Sequence, residues 1–475
     1  MNSTVPEPAL EIARSRREHA LSELRELLRI PSVSAQPERR ADMQRAAEWI
    51  AARFRALGFS GVEVIATGGH PVVAGERTEA GAGAPTLLFY GHYDVQPPDP
   101  LGEWVSPPFE PQVRGENLHA RGASDMKGQL VAFLAALEAM RQAGTPLPVN
   151  LKLLVEGEEE VGSASLPPLL RSQRERFACD YCLNSDAGIL APDQPSLTYG
   201  LRGLAYFELR VQGPSHDLHS GSFGGAVDNP VQVLFRLLAG MKDERGRVTL
   251  PGFYDRVRPL PDDERAELAK LPDDEAWWLE ASGAPALFGE EGYSPRERAA
   301  CRPTLDVNGV SGGFEGEGSK TVLPARAMAK FSMRLVPDQD PEEVRQSVLA
   351  YLKREAPPTV TWELIQMAGF KASLTGRDTP GVRAAATALE RVWGKRPLFS
   401  RTGGSVPVVG QIRELLGVDS VLLGFGLPDD NLHAPNEKLH LPTFHRGIEA
   451  YIHFLHLAGP AGPALKGSAT PSDNV

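Results

Sequence analysis

A run of three glutamates, Glu158, Glu159 and Glu160, follows an apolar segment of strand length at residues 149–155, with only Glu156 and Gly157 between them. A buried strand that ends in adjacent carboxylates places like charges close together at the edge of a sheet. That arrangement costs free energy unless a positive group, usually a metal ion, lies against the carboxylates. A solvated acidic turn is the alternative, because most runs of glutamate are simply exposed to water. The rest of the sequence has to decide between these two interpretations.

The composition restricts the class of protein. The chain has 475 residues, enough for two or three domains, and its formal net charge of -11 argues against non-specific nucleic-acid binding. No apolar stretch approaches the length of a membrane span, and the first residues lack the pattern of a signal peptide. With only three cysteines a disulfide framework is not expected, and Cys179 and Cys182 are interpreted as core residues. We therefore expect a cytoplasmic protein that binds neither nucleic acid nor membrane.

Strand-like and helix-like segments alternate through the first part of the chain. Helical periodicity marks residues 11–30, residues 39–57 and the segment after Gly128, and short apolar strands are predicted at residues 87–90, 149–155 and 179–183. This alternation is typical of an α/β sheet. Polar candidates follow the strand ends, which is the edge where open α/β sheets form active sites.

The pattern changes after residue 202. Alternating apolar and polar residues at 205–211 and 329–335 predict half-exposed strands, and Asp340 precedes a helix with a favourable start. Two helices with such strands indicate a small α+β domain inserted into the first, although residues 251–303 are not assigned to any element. The predicted organisation is a divided catalytic domain at 1–202 and 373–458, an inserted domain at 203–372 and a disordered tail at 459–475.

Five candidate metal ligands are expected at the ends of predicted strands: His92, Asp125, Glu160, Asp186 and His433. Two imidazoles and three carboxylates without a thiolate suit zinc, and also manganese or cobalt. Two ions that share one carboxylate would need this number of ligands. Each residue also has an ordinary structural alternative; Asp125, for example, stands where the N-cap of the next helix is expected. Asp94 could hold the second nitrogen of His92, and one of the adjacent glutamates would remain free as a general base.

Several ordered motifs resemble the dinuclear zinc exopeptidases, a superfamily that includes carnosinase-type dipeptidases, aminoacylase, glutamate carboxypeptidase and succinyl-diaminopimelate desuccinylase. The motifs are Gly91-His92-Tyr93-Asp94-Val95-Gln96-Pro97, Gly122-Ala123-Ser124-Asp125-Met126-Lys127-Gly128, the Glu-Glu-x-Gly-Ser element and His433-Ala434-Pro435-Asn436-Glu437. Residues 251–255 and 320–324 resemble the dipeptidase branch in particular. The resemblance implies a three-layer α/β catalytic domain with an inserted, ferredoxin-like α+β domain that acts as a lid and forms a dimer.

The resemblance also implies individual roles for the five ligands. His92 and Asp186 would bind one zinc ion, Glu160 and His433 would bind the other, and Asp125 would bridge the two.

The base of this family is the first glutamate of the pair before x-Gly-Ser. Here that residue is Glu159, whereas Glu158 occupies a variable position and makes the register worth testing. Asp94 would orient His92. A metal-bridging water, deprotonated by Glu159, would attack the scissile carbonyl of a small peptide.

In the family the inserted domain forms a homodimer, and a histidine from it reaches the active site of the partner subunit. That histidine corresponds to His219, which would polarise the scissile carbonyl. Arg334 resembles the arginine that grips the substrate carboxylate, and Gly404 and Ser405 belong to a loop that contacts the same group.

The leading interpretation is a metal-dependent dipeptidase or carboxypeptidase. A deacylase or desuccinylase of N-acyl amino acids on the same site is the alternative within enzymes. Carnosinase-like enzymes carry a histidine near the end of the inserted domain, and residues 370–373 offer none, which keeps that alternative open. A non-catalytic binding protein that kept the fold is the alternative from another class.

Overall fold

The computed structural model describes residues 5–404 and 406–459. These residues form two compact units. The first contains the described residues of Met1–Tyr199, Thr375–Ser400 and Gln411–Val475, and the second those of Gly200–Leu374 and Arg401–Gly410. The predicted disordered tail lies outside the described residues, apart from its first position. Within the described ranges no helix is long and apolar enough to cross a membrane.

The α-helices of these ranges are numbered in chain order. They are α1 Glu7–Ser15, α2 Arg17–Leu28, α3 Arg40–Ala56, α4 Gly128–Gln142, α5 Leu166–Ser172, α6 Arg174–Phe177, α7 Ser220–Phe223, α8 Pro230–Gly240, α9 Asp262–Leu268, α10 Glu275–Ser282, α11 Pro295–Cys301, α12 Pro341–Glu355, α13 Pro380–Trp393, α14 Pro407–Leu416 and α15 Leu441–Leu457.

The strands are numbered in the same way. They are β1 Ser60–Ile65, β2 Val72–Arg77, β3 Thr86–His92, β4 Gln112–Arg114, β5 Asn117–His119, β6 Asn150–Glu156, β7 Tyr181–Asn184, β8 Ser196–Leu201, β9 Gly203–Gln212, β10 Leu218–His219, β11 Thr304–Gly312, β12 Val322–Leu323, β13 Arg326–Leu335, β14 Thr361–Phe370, β15 Ser373–Leu374, β16 Leu398–Thr402, β17 Ser420–Leu422 and β18 Lys438–His440.

The first unit is built on a six-stranded sheet with the order β1-β2-β6-β3-β7-β17. The neighbours β6, β3, β7 and β17 are parallel. At one side of the sheet, β2 pairs antiparallel with β6, and β1 pairs antiparallel with β2. Apolar side chains of these strands are buried, and the ring of Phe89 stacks on Phe133 of α4 with a centroid separation of 3.8 Å. The predicted α/β fold class is confirmed. Because His92 of β3 pairs with Glu156 of β6, both strands end at the same edge of the sheet.

The second unit contains a four-stranded antiparallel sheet with the order β11-β13-β9-β14. Alternate residues of β9 and β13 are buried, and Phe207 contacts Phe331 across the two strands with a centroid separation of 5.4 Å. Helices α8 and α12 pack against this sheet and share its core. The period-two pattern in the sequence arises because only one side of each strand enters that core.

Two segments of the sequence analysis differ in detail from the structure. The helix predicted at residues 11–30 begins earlier than expected, at Glu7, and is divided into α1 and α2. Arg16 separates the two helices, because its φ of -108° and ψ of 20° are not helical. The unassigned residues 251–303 contain α9, α10 and α11. Two of these helices begin with side-chain caps: Asp274 accepts from the backbone N–H of Trp277, and Ser294 forms a capping box with Glu297.

Candidate metal centre and active site

The five predicted ligands lie at the carboxyl edge of the parallel strands and in the neighbouring loops. His92 is the last residue of β3, Glu160 follows β6 by four positions, and Asp186 follows β7 by two. Asp125 precedes α4, whose N-cap is Lys127, so the capping role considered for Asp125 is not adopted. His433 lies in the loop between β17 and β18. The strand order therefore collects residues that are far apart in the sequence.

Asp125 lies between the two imidazoles. Its Oδ1 is 3.1 Å from Nε2 of His92, and its Oδ2 is 3.0 Å from Nε2 of His433. His433 Nε2 is also 3.2 Å from Oε2 of Glu160, and His92 Nε2 is 4.0 Å from Oδ2 of Asp186. All five side chains thus lie close together. The two oxygens of Asp125 face different sides, one toward His92 and the other toward His433.

The donor set fits divalent cations. One ligand atom from each of His92, Asp125 and Glu160 can be chosen so that all three lie within 4.8 Å of one another. Nδ1 of His92 is 3.1 Å from the carbonyl oxygen of Asp94. A carbonyl only accepts, so Nδ1 carries the hydrogen, and Nε2 faces the carboxylates either as an N–H group or as a ligand to a cation. Nitrogen and oxygen donors without sulfur are the ligands that zinc, manganese and cobalt share.

The ionisation of the group reflects crowded, buried charges. Burial and then the charge of Asp125 raise the pKa of Asp186 to about 7. Burial opposes ionisation of Asp125 as well, but hydrogen bonds from His433 and His92 outweigh it and lower its pKa. Hydrogen bonds to Asp125 and Glu160 raise the pKa of His433 to about 10. The carboxylates therefore depend on positive charge, which protonated imidazoles or bound cations can supply.

Asp94 contacts both His92 and the turn that carries Glu159 and Glu160. Besides the contact of its carbonyl with His92, its carboxylate Oδ1 lies 3.4 Å from Nδ1 of the same imidazole. The backbone N–H groups of Glu159 and Glu160 donate to Oδ1 and Oδ2 at 3.3 and 3.0 Å. The sequence indicated only the contact with His92. Asp94 therefore also fixes the turn that carries the glutamate pair.

The carboxyl of Glu159 also lies among the charges of the candidate ligands. Burial raises its pKa to about 8; His92 opposes the rise, and the charges of Asp186 and Glu160 add to it. Glu158 differs, because both of its oxygens accept backbone N–H groups outside the cluster. Glu158 and Glu159 therefore lie in different surroundings, the first held by backbone N–H groups and the second among charged side chains.

Sequence reasoning missed Glu437, although it belongs to one of the quoted motifs. Its buried carboxylate accepts from Nη1 of Arg121 and from the backbone N–H of Gly122, both at 2.8 Å. The N–H groups of Ser124 and Asp125 donate to its other oxygen at 2.9 and 3.1 Å. Glu437 thus holds the turn that carries Asp125, and its place in the motif with His433 was the available signal.

Gln96 and Glu156 were also given no role. Nε2 of Gln96 donates to Oε2 of Glu160 at 2.8 Å, which orients that carboxylate. Glu156 accepts from the hydroxyls of Tyr90 at 2.8 Å and Ser163 at 2.9 Å, and burial raises its pKa to about 7. Both residues support the turn after β6.

The other candidates belong to the second unit. His219 ends β10, is exposed, and accepts from the backbone N–H of Gly221 at 3.0 Å through Nδ1. Arg334 lies in β13 and pairs with Leu204 of β9. Gly404 is exposed and donates to Oγ1 of Thr402 at 3.2 Å. Ser405 lies outside the described residues.

Comparison with known proteins places this site in a family. The sequence model of peptidase family M20/M25/M40 matches residues 88–457, which include all five candidate ligands. The chain is 33% identical over 462 residues to a Cys-Gly metallodipeptidase of Candida albicans, covering 93% of this chain and 95% of the relative. It is 32% identical over 376 residues to the human Beta-Ala-His dipeptidase, covering 78% and 74%.

Among solved structures, an M20-family metallo-carboxypeptidase from Sulfolobus solfataricus has a TM-score of 0.82 and 34% identity, covering 92% of this chain and 99% of that one. The sequence identity to relatives, the similarity of the fold and the family match over the candidate ligands therefore all indicate the same family. The chain belongs to peptidase family M20/M25/M40 and to its dipeptidase branch.

Proposed function

We propose that this protein is a dinuclear metallo-dipeptidase that hydrolyses dipeptides or short peptides with a free C-terminal carboxylate. The observation that carries the proposal is the position of Asp125, whose two oxygens face His92 and His433 separately. Dipeptidase relatives at about one-third identity support the general activity.

We assign the five ligands to two ions. His92 and Asp186 would hold one ion, Glu160 and His433 the other, and Asp125 both, in keeping with the distances between these side chains. The donor set favours zinc, with manganese or cobalt as alternatives. When bound, such ions polarise a carbonyl and lower the pKa of water.

Glu159 would move the proton. It takes a proton from the attacking water as the carbon–oxygen bond forms, and gives a proton to the nitrogen as the carbon–nitrogen bond breaks. The water oxygen ends in the new carboxylate, and the nitrogen leaves as an amine. The hydrogen bond from the Glu159 backbone to Asp94 supports this role, since it fixes the turn from which the carboxyl projects.

The inserted unit would bind the substrate. Arg334, Gly404 and Ser405 are proposed to recognise the terminal carboxylate, and His219 to polarise the scissile carbonyl in the partner subunit of a homodimer. Two features support a dimer: β11 is an edge strand of its sheet, and its Val307 is 47% exposed. The location of the protein in the cytoplasm stays a prediction.

A substrate panel tests the proposal. Purified protein is supplied with zinc, manganese or cobalt and assayed on Cys-Gly, β-Ala-His, their C-terminally amidated forms and N-acyl amino acids, with and without chelator. We expect chelator-sensitive hydrolysis of the free dipeptides. Amidation should lower kcat/KM by about 10- to 100-fold, because it removes a charge-assisted hydrogen bond. Preferential hydrolysis of N-acyl amino acids would favour the deacylase alternative, and equal hydrolysis of amidated and free dipeptides would remove Arg334 from its role.

Mixed dimers test His219. Homodimers of His219→Ala and of Glu159→Gln should each be nearly inactive. Random refolding of the two variants makes half of the dimers hybrid, and each hybrid has one intact site if His219 acts across the interface. Activity should then recover to roughly a quarter of wild type. Subunit exchange without recovery would show that His219 does not act in this way.

A further inference from the structure

Glu158 occupies a buried position in the turn after β6. Its side chain is 8% exposed, and its two carboxylate oxygens accept from different parts of the chain. The backbone N–H of His70 donates to Oε1 at 3.1 Å, and that of Ser165 donates to Oε2 at 3.0 Å. The carboxylate of Glu158 therefore connects the loop before β2 with the segment that leads into α5.

The backbone of Glu158 closes the same turn. Its carbonyl accepts from the N–H groups of Val161 at 3.1 Å and Ser163 at 2.7 Å. Between these contacts, Glu159 and Glu160 donate their backbone N–H groups to Asp94. The glutamate pair is therefore held from one side by Asp94 and from the other by the contacts of Glu158.

We propose that Glu158 is a positioning residue that holds the turn carrying Glu159 and Glu160 against the loop at residues 67–70. The proposal rests on the proposed function, since it concerns the residues that would move the proton and bind a metal. Glu158 itself does not touch the reacting atoms. Its effect would be on the placement of Glu159, where a displacement of about 1 Å can lower a rate about 100-fold.

Gly69 provides independent geometric support. A Cβ atom on Gly69 would lie 1.5 Å from Oε1 and 2.6 Å from Cδ of Glu158, so the space beside this glycine is filled by the carboxylate. The φ of Gly69 lies outside the left-handed region, so alanine suits its backbone and would displace only the end of a flexible side chain. Gly68 is the matched control, because its Cβ would meet only Oγ of Ser165 at 3.9 Å.

The experiment compares Glu158→Ala, Gly69→Ala, the double variant and Gly68→Ala in the metal-loaded enzyme. We expect kcat to fall about 10- to 100-fold in Glu158→Ala and in Gly69→Ala, with KM within about threefold of wild type. The double variant should be no slower than Glu158→Ala alone, because both changes remove the same contact. Gly68→Ala should match wild type.

Amide hydrogen exchange gives a readout that does not depend on activity. The N–H groups of His70 and Ser165 should exchange faster in Glu158→Ala and in Gly69→Ala than in wild type. Their exchange rates should be unchanged in Gly68→Ala. Faster exchange with a wild-type kcat would overturn the proposal, as would losses in kcat that multiply in the double variant. Failure of the proposed function looks different: wild type would not hydrolyse the dipeptide panel, or Glu159→Gln would remain as active as wild type.

Discussion

The hydrogen bonds that converge on Glu437 predict a large effect of replacing this one residue. Its carboxylate is fully buried and accepts from Arg121 and from the backbone N–H groups of Gly122, Ser124 and Asp125. In Glu437→Gln the negative charge is lost, and an NH₂ group must face N–H donors that previously met oxygen. The turn that presents Asp125 then loses its central acceptor.

The magnitude follows from the surroundings of Arg121, which is 1% exposed. Without the carboxylate, its guanidinium keeps the carbonyl of Pro97 at 3.3 Å and the ring of Trp104 at 5.5 Å, and neither carries a full charge. Breaking a buried ion pair in this way costs about 3–5 kcal/mol. We therefore expect Glu437→Gln to lower the free energy of unfolding by at least about 3 kcal/mol, which is more than 100-fold in the unfolding constant. Arg121→Met should cost less, because Glu437 keeps its three backbone donors.

Urea unfolding of the metal-free protein, followed through the slowest-exchanging amides of β3 and β6, measures this effect in the first unit. Chelator is needed throughout, because bound metal would add its own stabilisation. The double variant Glu437→Gln/Arg121→Met should be less damaged than the sum of its parts, since no buried charge is left unpaired. A Glu437→Gln protein within about 0.5 kcal/mol of wild type, or strictly additive variants, would refute this account of the turn.

Three further predictions concern the centre and the helical layer of the first unit. Glu159→Gln should retain its metal in elemental analysis but lose at least about 1000-fold in kcat, whereas Glu160→Gln should lose metal; the opposite pattern would exchange the two roles. Asp94→Asn can no longer accept both N–H groups of the glutamate pair, so kcat should fall about 10- to 100-fold, and an unchanged rate would contradict the contact. Burial and then Arg391 lower the pKa of His453, 5% exposed, to about 4, so the unfolded chain binds a proton that the folded chain does not. Stability should therefore be lost as pH falls from about 6.5 to 4, by up to about 3 kcal/mol, and His453→Gln should flatten that slope in pH-dependent urea unfolding.

The convergence of the candidate ligands followed from a general property of parallel sheets. Because β6, β3 and β7 are parallel neighbours, residues just beyond their ends meet at one edge, whatever their separation in the sequence. His92, Glu160 and Asp186 could therefore be grouped before their distances were known. Asp125 was ambiguous, since an aspartate before a helix is also a cap, and only the start of α4 at Gly128 decides between the two uses.

Other features had no local signal in the sequence. Glu437 contacts a turn more than 300 residues earlier, and no periodicity marks such a contact. Neither proline nor glycine occurs at Arg16 or beside it, so the local sequence gives no signal for the break between α1 and α2. The helices between residues 251 and 303 are short, which weakens the periodic pattern even where Asp274 and Ser294 provide good caps.

The buried carboxylates of the first unit differ in function because their hydrogen-bond donors differ, although they are chemically alike. Asp94, Glu158 and Glu437 accept backbone N–H groups, so their oxygens are occupied in fixing turns. Asp125 and Glu160 instead face imidazole nitrogens, which are themselves possible ligands. A carboxylate saturated by amides has little to gain from a cation, whereas carboxylates that crowd one another beside imidazoles gain a great deal. Among these five carboxylates, the supply of backbone donors therefore distinguishes the three that fix turns from the two that face the imidazoles and are proposed as metal ligands.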